Sequence, residues 1–103
     1  MKIVAVTSCP VGMAHTYMAA AALKKMAKKY GYEILVETQG SMGIRNKLSQ
    51  SDIDSADIFI NSADITIIEQ ERFNNIPTYK TSTSKVIKKA KDVFEEAIAI
   101  INK

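Results

Sequence analysis

The chain's one cysteine and one histidine lie six positions apart, in Cys9-Pro10-Val11-Gly12-Met13-Ala14-His15-Thr16. An apolar, β-rich run, Lys2 to Thr7, leads into this segment, and a helical pattern leaves it. The thiol therefore belongs at the mouth between a strand and a helix, in a loop where Gly12 permits torsions closed to other residues. Backbone amides of such a loop, joined by the first turn of the helix, can converge on one point and bind an anion, phosphate above all. The same positive potential favours thiolate over thiol. A thiolate inside a phosphate cradle can attack phosphorus and carry a phosphoryl group. Five intervening residues let the loop curl until His15 and Thr16 face the bound anion. A second reading stands beside this one: free cysteine is among the most buried residue types, and Cys9 can be a small apolar side chain at a strand end. His15 would then make a local hydrogen bond at the helix start. A metal site does not follow, because there is no second histidine and Cys9 alone completes none.

The elements that must hold this loop can be placed from the pattern. Lys2–Thr7 is nearly continuously apolar, as in a strand covered on both faces. A helix is predicted from about Met13 to Tyr30, with Ala19, Leu23, Met26 and Tyr30 on one face, Lys24, Lys25, Lys28 and Lys29 largely outside it, and Gly31 as its C-terminal cap. Met13, Met18 and Met26 read as core packing. Glu33–Thr38 is a second strand, its Ile34 and Val36 alternating with Glu33 and Glu37, and Gln39-Gly40-Ser41-Met42-Gly43 reads as a loop. Ser51–Asp54 is a short helical turn capped by its serine. Ile58–Asn61 is a third strand, followed by Ser62-Ala63-Asp64, and Pro77–Lys80 a fourth, with proline first, where a missing donor is tolerated. Ile65–Ile76 could hold a helical turn, a loop or both. Ser84–Ile101 has the wide apolar stripe of a helix.

Strands alternating with helices predict a three-layer α/β fold of the Rossmann-like or flavodoxin-like kind, a small four-stranded parallel sheet flanked by helices. Ligands of such sheets sit beyond the carboxyl ends of the strands. That edge gathers three segments: Cys9–Thr16, Gln39–Gly43 and Ser62–Thr66. Asp64 could approach the site as an acid, although a capping or turn hydrogen bond also suits it.

The whole chain of 103 residues reads as one domain, residues 1–103. It is 47% hydrophobic and 24% charged, too apolar for a disordered tail. A net charge of +3 does not announce nucleic acid. No apolar run approaches the roughly 18 residues of a membrane span, and one cysteine allows no internal disulfide. A soluble, cytoplasmic protein is expected, with no metal, no cofactor, no nucleic-acid partner and no direct insertion into a membrane.

The run Cys9-Pro10-Val11-Gly12-Met13-Ala14-His15-Thr16-Tyr17-Met18-Ala19-Ala20-Ala21 closely resembles the signature of the enzyme IIB components of the fructose family of the bacterial sugar phosphotransferase system. A second run, Val36-Glu37-Thr38-Gln39-Gly40-Ser41-Met42-Gly43-Ile44, resembles the same family, as do Ala56-Asp57, Ala63-Asp64-Ile65 and Glu71-Arg72-Phe73. The resemblance implies that Cys9 is the catalytic residue and that Pro10, Val11, Gly12, Met13, Ala14, His15 and Thr16 form the phosphate-binding loop. It implies two partners: an enzyme IIA, whose phosphohistidine donates the phosphoryl group, and a membrane enzyme IIC, whose bound sugar, fructose by this resemblance, accepts it. The protein would then work at the inner face of the cell membrane. Val11 stands where the family commonly has threonine, and Ala21 where it has glutamate.

Two other functions fit parts of the pattern. The spacing of a cysteine, five residues and then a cradle residue followed by Ser or Thr also resembles the low-molecular-weight tyrosine phosphatases. Those enzymes place an arginine where His15 stands, for bidentate grip on the phosphate, and Arg45 and Arg72 are remote in sequence. A non-catalytic binding module on the same fold, with Cys9 as packing, is the third reading.

Overall fold

β1, Lys2–Ser8, is the strand around which the rest is arranged. Its residues Ile3 to Ser8 are all buried, which explains the unbroken apolar run: side chains pointing either way meet a layer of helices. The computed structural model describes residues 1–10, 13–40 and 43–102. β1 is followed by α1 (Met13–Tyr30), β2 (Glu33–Gly40), β3 (Gly43–Arg45), α2 (Gln50–Asp54), β4 (Ile58–Ala63), a 3₁₀ turn (Gln70–Phe73), β5 (Thr78–Lys80) and α3 (Thr83–Ile101).

The sheet order is β3-β2-β1-β4-β5. β1 is parallel to β2 and β4, and β4 to β5, but β3 runs antiparallel to β2. The expected α/β class and three layers are present, while four parallel strands become five in a mixed sheet. The reason is local. Gln39 and Gly40 extend β2, and Gly43–Arg45 folds back beside Thr38–Gly40 as a three-residue strand too short to show alternation. Ser41 and Met42 lie outside the described residues.

α1 and α3 cover one face, packing Leu23, Ala27, Val86, Val93 and Phe94 onto Ile3, Ala5, Val36, Ile58 and Ile60. The other face carries Val4, Val6, Phe59 and Ala63 under Leu48, Ile53, Ile67 and Phe73. Phe59 and Phe73 stack there with centroids 3.8 Å apart. α1 ends as expected at Gly31, whose φ of +76° lets Tyr32 N donate to Ala27 O at 2.9 Å. Met26 is half-buried against the core, but Met18 is 51% exposed. At 100° per residue it lies nearly opposite the stripe of Ala19, Leu23 and Ala27, so it does not pack in the core. The side chain of Met13 lies outside what is described.

The cap of α2 is Ser49, not Ser51: its hydroxyl accepts from Asp52 N at 3.0 Å, and Ser51 falls inside the helix. α3 begins one residue before the expected Ser84, with Ser82 Oγ accepting from Lys85 N at 3.1 Å. The helix is broken at Lys89 (φ −138°, ψ 49°). Replacing Ser82 by alanine is expected to cost about 1 kcal/mol. A melt of this variant should come out roughly 4 °C lower, and asparagine at the same position should restore most of the loss.

Candidate functional site

The chain leaves β1 toward β2 on one side, through α1, while β4 enters from the other side. The segments following β1 and β4 therefore diverge to opposite faces, and the crevice between them is where doubly wound sheets bind ligands. Cys9 stands at that point, one residue past β1 and 8% exposed. Its Sγ lies 3.8 Å from His15 Nδ1, at the outer limit of a sulfur hydrogen bond, and the ring of His15 is otherwise exposed. Pro10 is exposed next to it, and Ala14 is exposed in the first turn of α1. Val11 and Gly12 lie outside the described residues.

α1 starts four residues after Cys9 with no acidic side chain in its first turn, and ends with Lys28 and Lys29 in its last. The lysines suit the negative end of the helix dipole, while the orphan amides at the other end meet no carboxylate of their own turn. Thr16 is fully buried there. Its carbonyl accepts from Thr7 Oγ1 at 3.1 Å, fixing the first turn over β1, but its hydroxyl has no partner among the described residues. The buried hydroxyl of Thr38, which pairs with Thr7 in the sheet, is likewise unpartnered. Buried hydroxyls normally find partners, so these two are spare polar capacity on either side of Thr7.

Asp64, the first residue past β4, borders Cys9 on the other side. Its amide donates to Ser8 O at 2.8 Å. Its carboxylate accepts from Thr83 N at 3.0 Å and Thr83 Oγ1 at 2.6 Å, so it caps α3 from outside the helix. Burial pushes the Asp64 carboxyl up. The Thr83 hydroxyl and amide, and more weakly the Cys9 thiol and the Lys80 charge, outweigh that and hold it below its ordinary value. Thr83, buried and at the helix start, carried no signal in the sequence; only the carboxyl at the end of β4 did.

In the third expected segment Gln39 and Gly40 belong to β2 and Gly43 to β3, and Ser41 and Met42 lie outside the described residues. Gln39 is a buried strand residue whose amide group donates to Ile68 O at 3.2 Å and accepts from Ile68 N at 2.8 Å. Beside it, Glu37 is fully buried. Alternation puts Glu37 on the opposite face of the strand from Ile34 and Val36, and that face is covered too. Arg72 holds the Glu37 carboxylate at 2.9 and 3.0 Å, with Leu48 N at 2.9 Å and Gln39 Nε2 at 2.7 Å. Burial pushes the Glu37 carboxyl up, and these bonds with the Arg72 charge bring it below its usual value. The pattern did hold a clue: a glutamate in a strand covered on both sides must have a buried cation.

Residues 4–96 match the family model described as "PTS system, Lactose/Cellobiose specific IIB subunit". The chain is 46% identical, over 92% of its length and 90% of the relative's, to the PTS system fructose-like EIIB component 2 of Escherichia coli. It is 48% identical over 96% of its length to the PTS system fructose-specific EIIB'BC component of Rhodobacter capsulatus, but spans only 17% of that longer protein. A crystal structure of a domain from the fructose-specific iiabc component of Borrelia burgdorferi superposes with a TM-score of 0.88. It shares 48% identity, over 98% of this chain and 93% of that one.

Proposed function

The chain belongs to the IIB family of the sugar phosphotransferase system, PTS, and from that premise we propose that residues 1–103 form one phosphotransfer domain with Cys9 as its phosphoryl carrier. An enzyme IIA supplies the phosphoryl group from a phosphohistidine. The sulfur–phosphorus bond forms as the nitrogen–phosphorus bond breaks, and the thiol proton ends on the imidazole left behind. A sugar hydroxyl then takes the phosphorus, and its proton returns to sulfur. The acceptor is a sugar held by the membrane enzyme IIC, and fructose is the sugar proposed, from the names of the two relatives described above. In this reading the domain works on the cytoplasmic side, where enzyme IIC presents its sugar; no helix among the described residues is long and apolar enough to cross a membrane.

The observation that carries this reading is the placement of Cys9 at the crevice of the sheet, with His15 Nδ1 3.8 Å away and the amides of α1 just beyond. Phosphoryl transfer is largely positioning and charge stabilisation, and backbone donors with the Thr16 hydroxyl can supply both. Val11 and Gly12 complete the proposed cradle with Pro10, Met13 and Ala14. Tyr17 and Met18 on α1, with Ile65 and Ile68 after β4, are each 42–51% exposed. All four belong to the segments that diverge around Cys9, an apolar rim suited to a partner protein.

The phosphatase reading is disfavoured by its missing guanidinium. Both terminal nitrogens of Arg72 are bound to Glu37, and Arg45 is exposed on the edge strand β3.

Intact mass after incubation with phosphoenolpyruvate, the general phosphocarriers and a fructose-type IIA tests the proposal. One added phosphoryl group, resistant to acid but released by iodine as a thiophosphate is, is the expected result. No added mass from demonstrably phosphorylated IIA would overturn it, and steady hydrolysis of an aryl phosphate would favour the phosphatase.

A further inference from the structure

Ser8 pairs with Ala63 in the parallel register of β1 and β4, so Cys9 and Asp64, the next residue of each, leave the two strands side by side. The amide bond to Ser8 O at 2.8 Å ties Asp64 to the end of β1. Two hydrogen bonds from Thr83 clamp both carboxylate oxygens at the start of α3. The helix dipole there favours the ionised form, and the Cys9 thiol and the Lys80 charge favour it too. Lys80 Nζ donates to the carbonyl of Ala63, the residue before Asp64.

We propose that Asp64 is a positioning residue that sets the transfer potential of Cys9, its clamped negative charge destabilising the phosphorylated sulfur relative to the free thiol. The inference rests on the phosphocysteine reading and adds a regulator of its energy. A phosphoryl monoester carries close to two negative charges near neutral pH, whereas the thiol that precedes and follows it carries none when protonated. A carboxylate at close range therefore raises the energy of the loaded state more than that of the unloaded one. A relay needs this, because a carrier that binds its phosphoryl group too tightly cannot pass it on. Lys80 acts in the opposite sense by partly offsetting the charge.

The experiment measures the equilibrium of phosphoryl exchange between a fructose-type IIA and this chain, read as the phosphorylated fraction of each by intact mass. Asp64→Asn is expected to shift it about tenfold toward phosphorylated Cys9, the scale of one partly screened charge at short range. Lys80→Met is expected to shift it the other way. A purely structural role for Asp64 would slow loading and release together and leave the equilibrium in place, and that result would overturn the proposal. So would a Lys80→Met shift in the same direction as Asp64→Asn. Should Asp64→Asn fail to fold, the sign of the Lys80→Met shift decides. A wild-type chain that takes up no phosphoryl group at all overturns the phosphocysteine reading and this inference with it. Equal equilibria in loaded wild type and variants overturn this inference alone.

Discussion

Cys9→Ala is expected to abolish phosphoryl uptake from a phosphorylated IIA while leaving the fold intact. The loss should be at least about a thousandfold, because a removed nucleophile has no neighbour able to form the same bond. His15 is the one nucleophilic ring nearby, with Nδ1 3.8 Å from the sulfur. A phosphoryl group on its nitrogen would be labile to acid, unlike a thiophosphate, so the two products are told apart in one quench. The structural cost is small. Cys9 lies beyond the last residue of β1, and the substitution removes a single sulfur atom from a buried side chain. About 1 kcal/mol or less is expected, on the scale of the smallest buried truncations. The far-UV circular dichroism should match wild type, with a melt within a few degrees. An acid-stable adduct on Cys9→Ala would mean that another side chain carries the phosphoryl group.

How far these features can be read from the sequence follows from the range of the interactions behind them. β1 and α1 are legible because their signals are local: an apolar run covered on both faces, a stripe at helical spacing, and a glycine at the cap. The position of Cys9 at the mouth between strand and helix follows from those two elements alone, and β4 on the other side of β1 makes that mouth the crevice. β3 is not legible, since three residues cannot display a period and its existence depends on an antiparallel partner in β2. Ser49 was hidden by a second serine two residues on, and only the bond to Asp52 N separates them. The clamp on Asp64 and the ion pair of Glu37 join residues 19 and 35 positions apart. A sequence shows that a charged residue sits in a strand or at its end, but its partner depends on tertiary placement.

These long-range contacts also join stability to the site. Gln39 holds Ile68 by two hydrogen bonds, and Arg72 adds a third to the Ile68 carbonyl at 3.1 Å. Ile65 and Ile68 are exposed apolar residues in the segment that follows β4. The buried network on the α2 face thus holds the backbone of Ile68 in that segment, which leaves β4 beside Cys9.

Arg72→Met is expected to be among the most destabilising single changes in the chain. It leaves Glu37 fully buried, with Leu48 N and Gln39 as its remaining donors. Breaking a buried ion pair from one side costs about 3–5 kcal/mol, most of it the stranded charge. For a chain of this length that is a melt lower by roughly 15 °C. The double variant Glu37→Met with Arg72→Met strands nothing and should recover much of the loss, since an apolar pair of similar volume can replace a buried ion pair. The acid response separates the three proteins. In wild type the folded Glu37 carboxyl is held below its ordinary value of 4.5. Its contribution is therefore complete above that value and is lost as pH falls below it. In Arg72→Met burial dominates and the carboxyl rises instead, so lowering the pH toward 4.5 should narrow the gap to wild type. The double variant has no carboxyl at this position and should lack the Glu37 part of the response. Urea melts at pH 7 and near pH 4 measure all three slopes. A melt of Arg72→Met within about 2 °C of wild type at pH 7, well short of the shift expected for a stranded charge, would mean that Glu37 finds water or another donor, and that the placement of Ile68 does not depend on this pair.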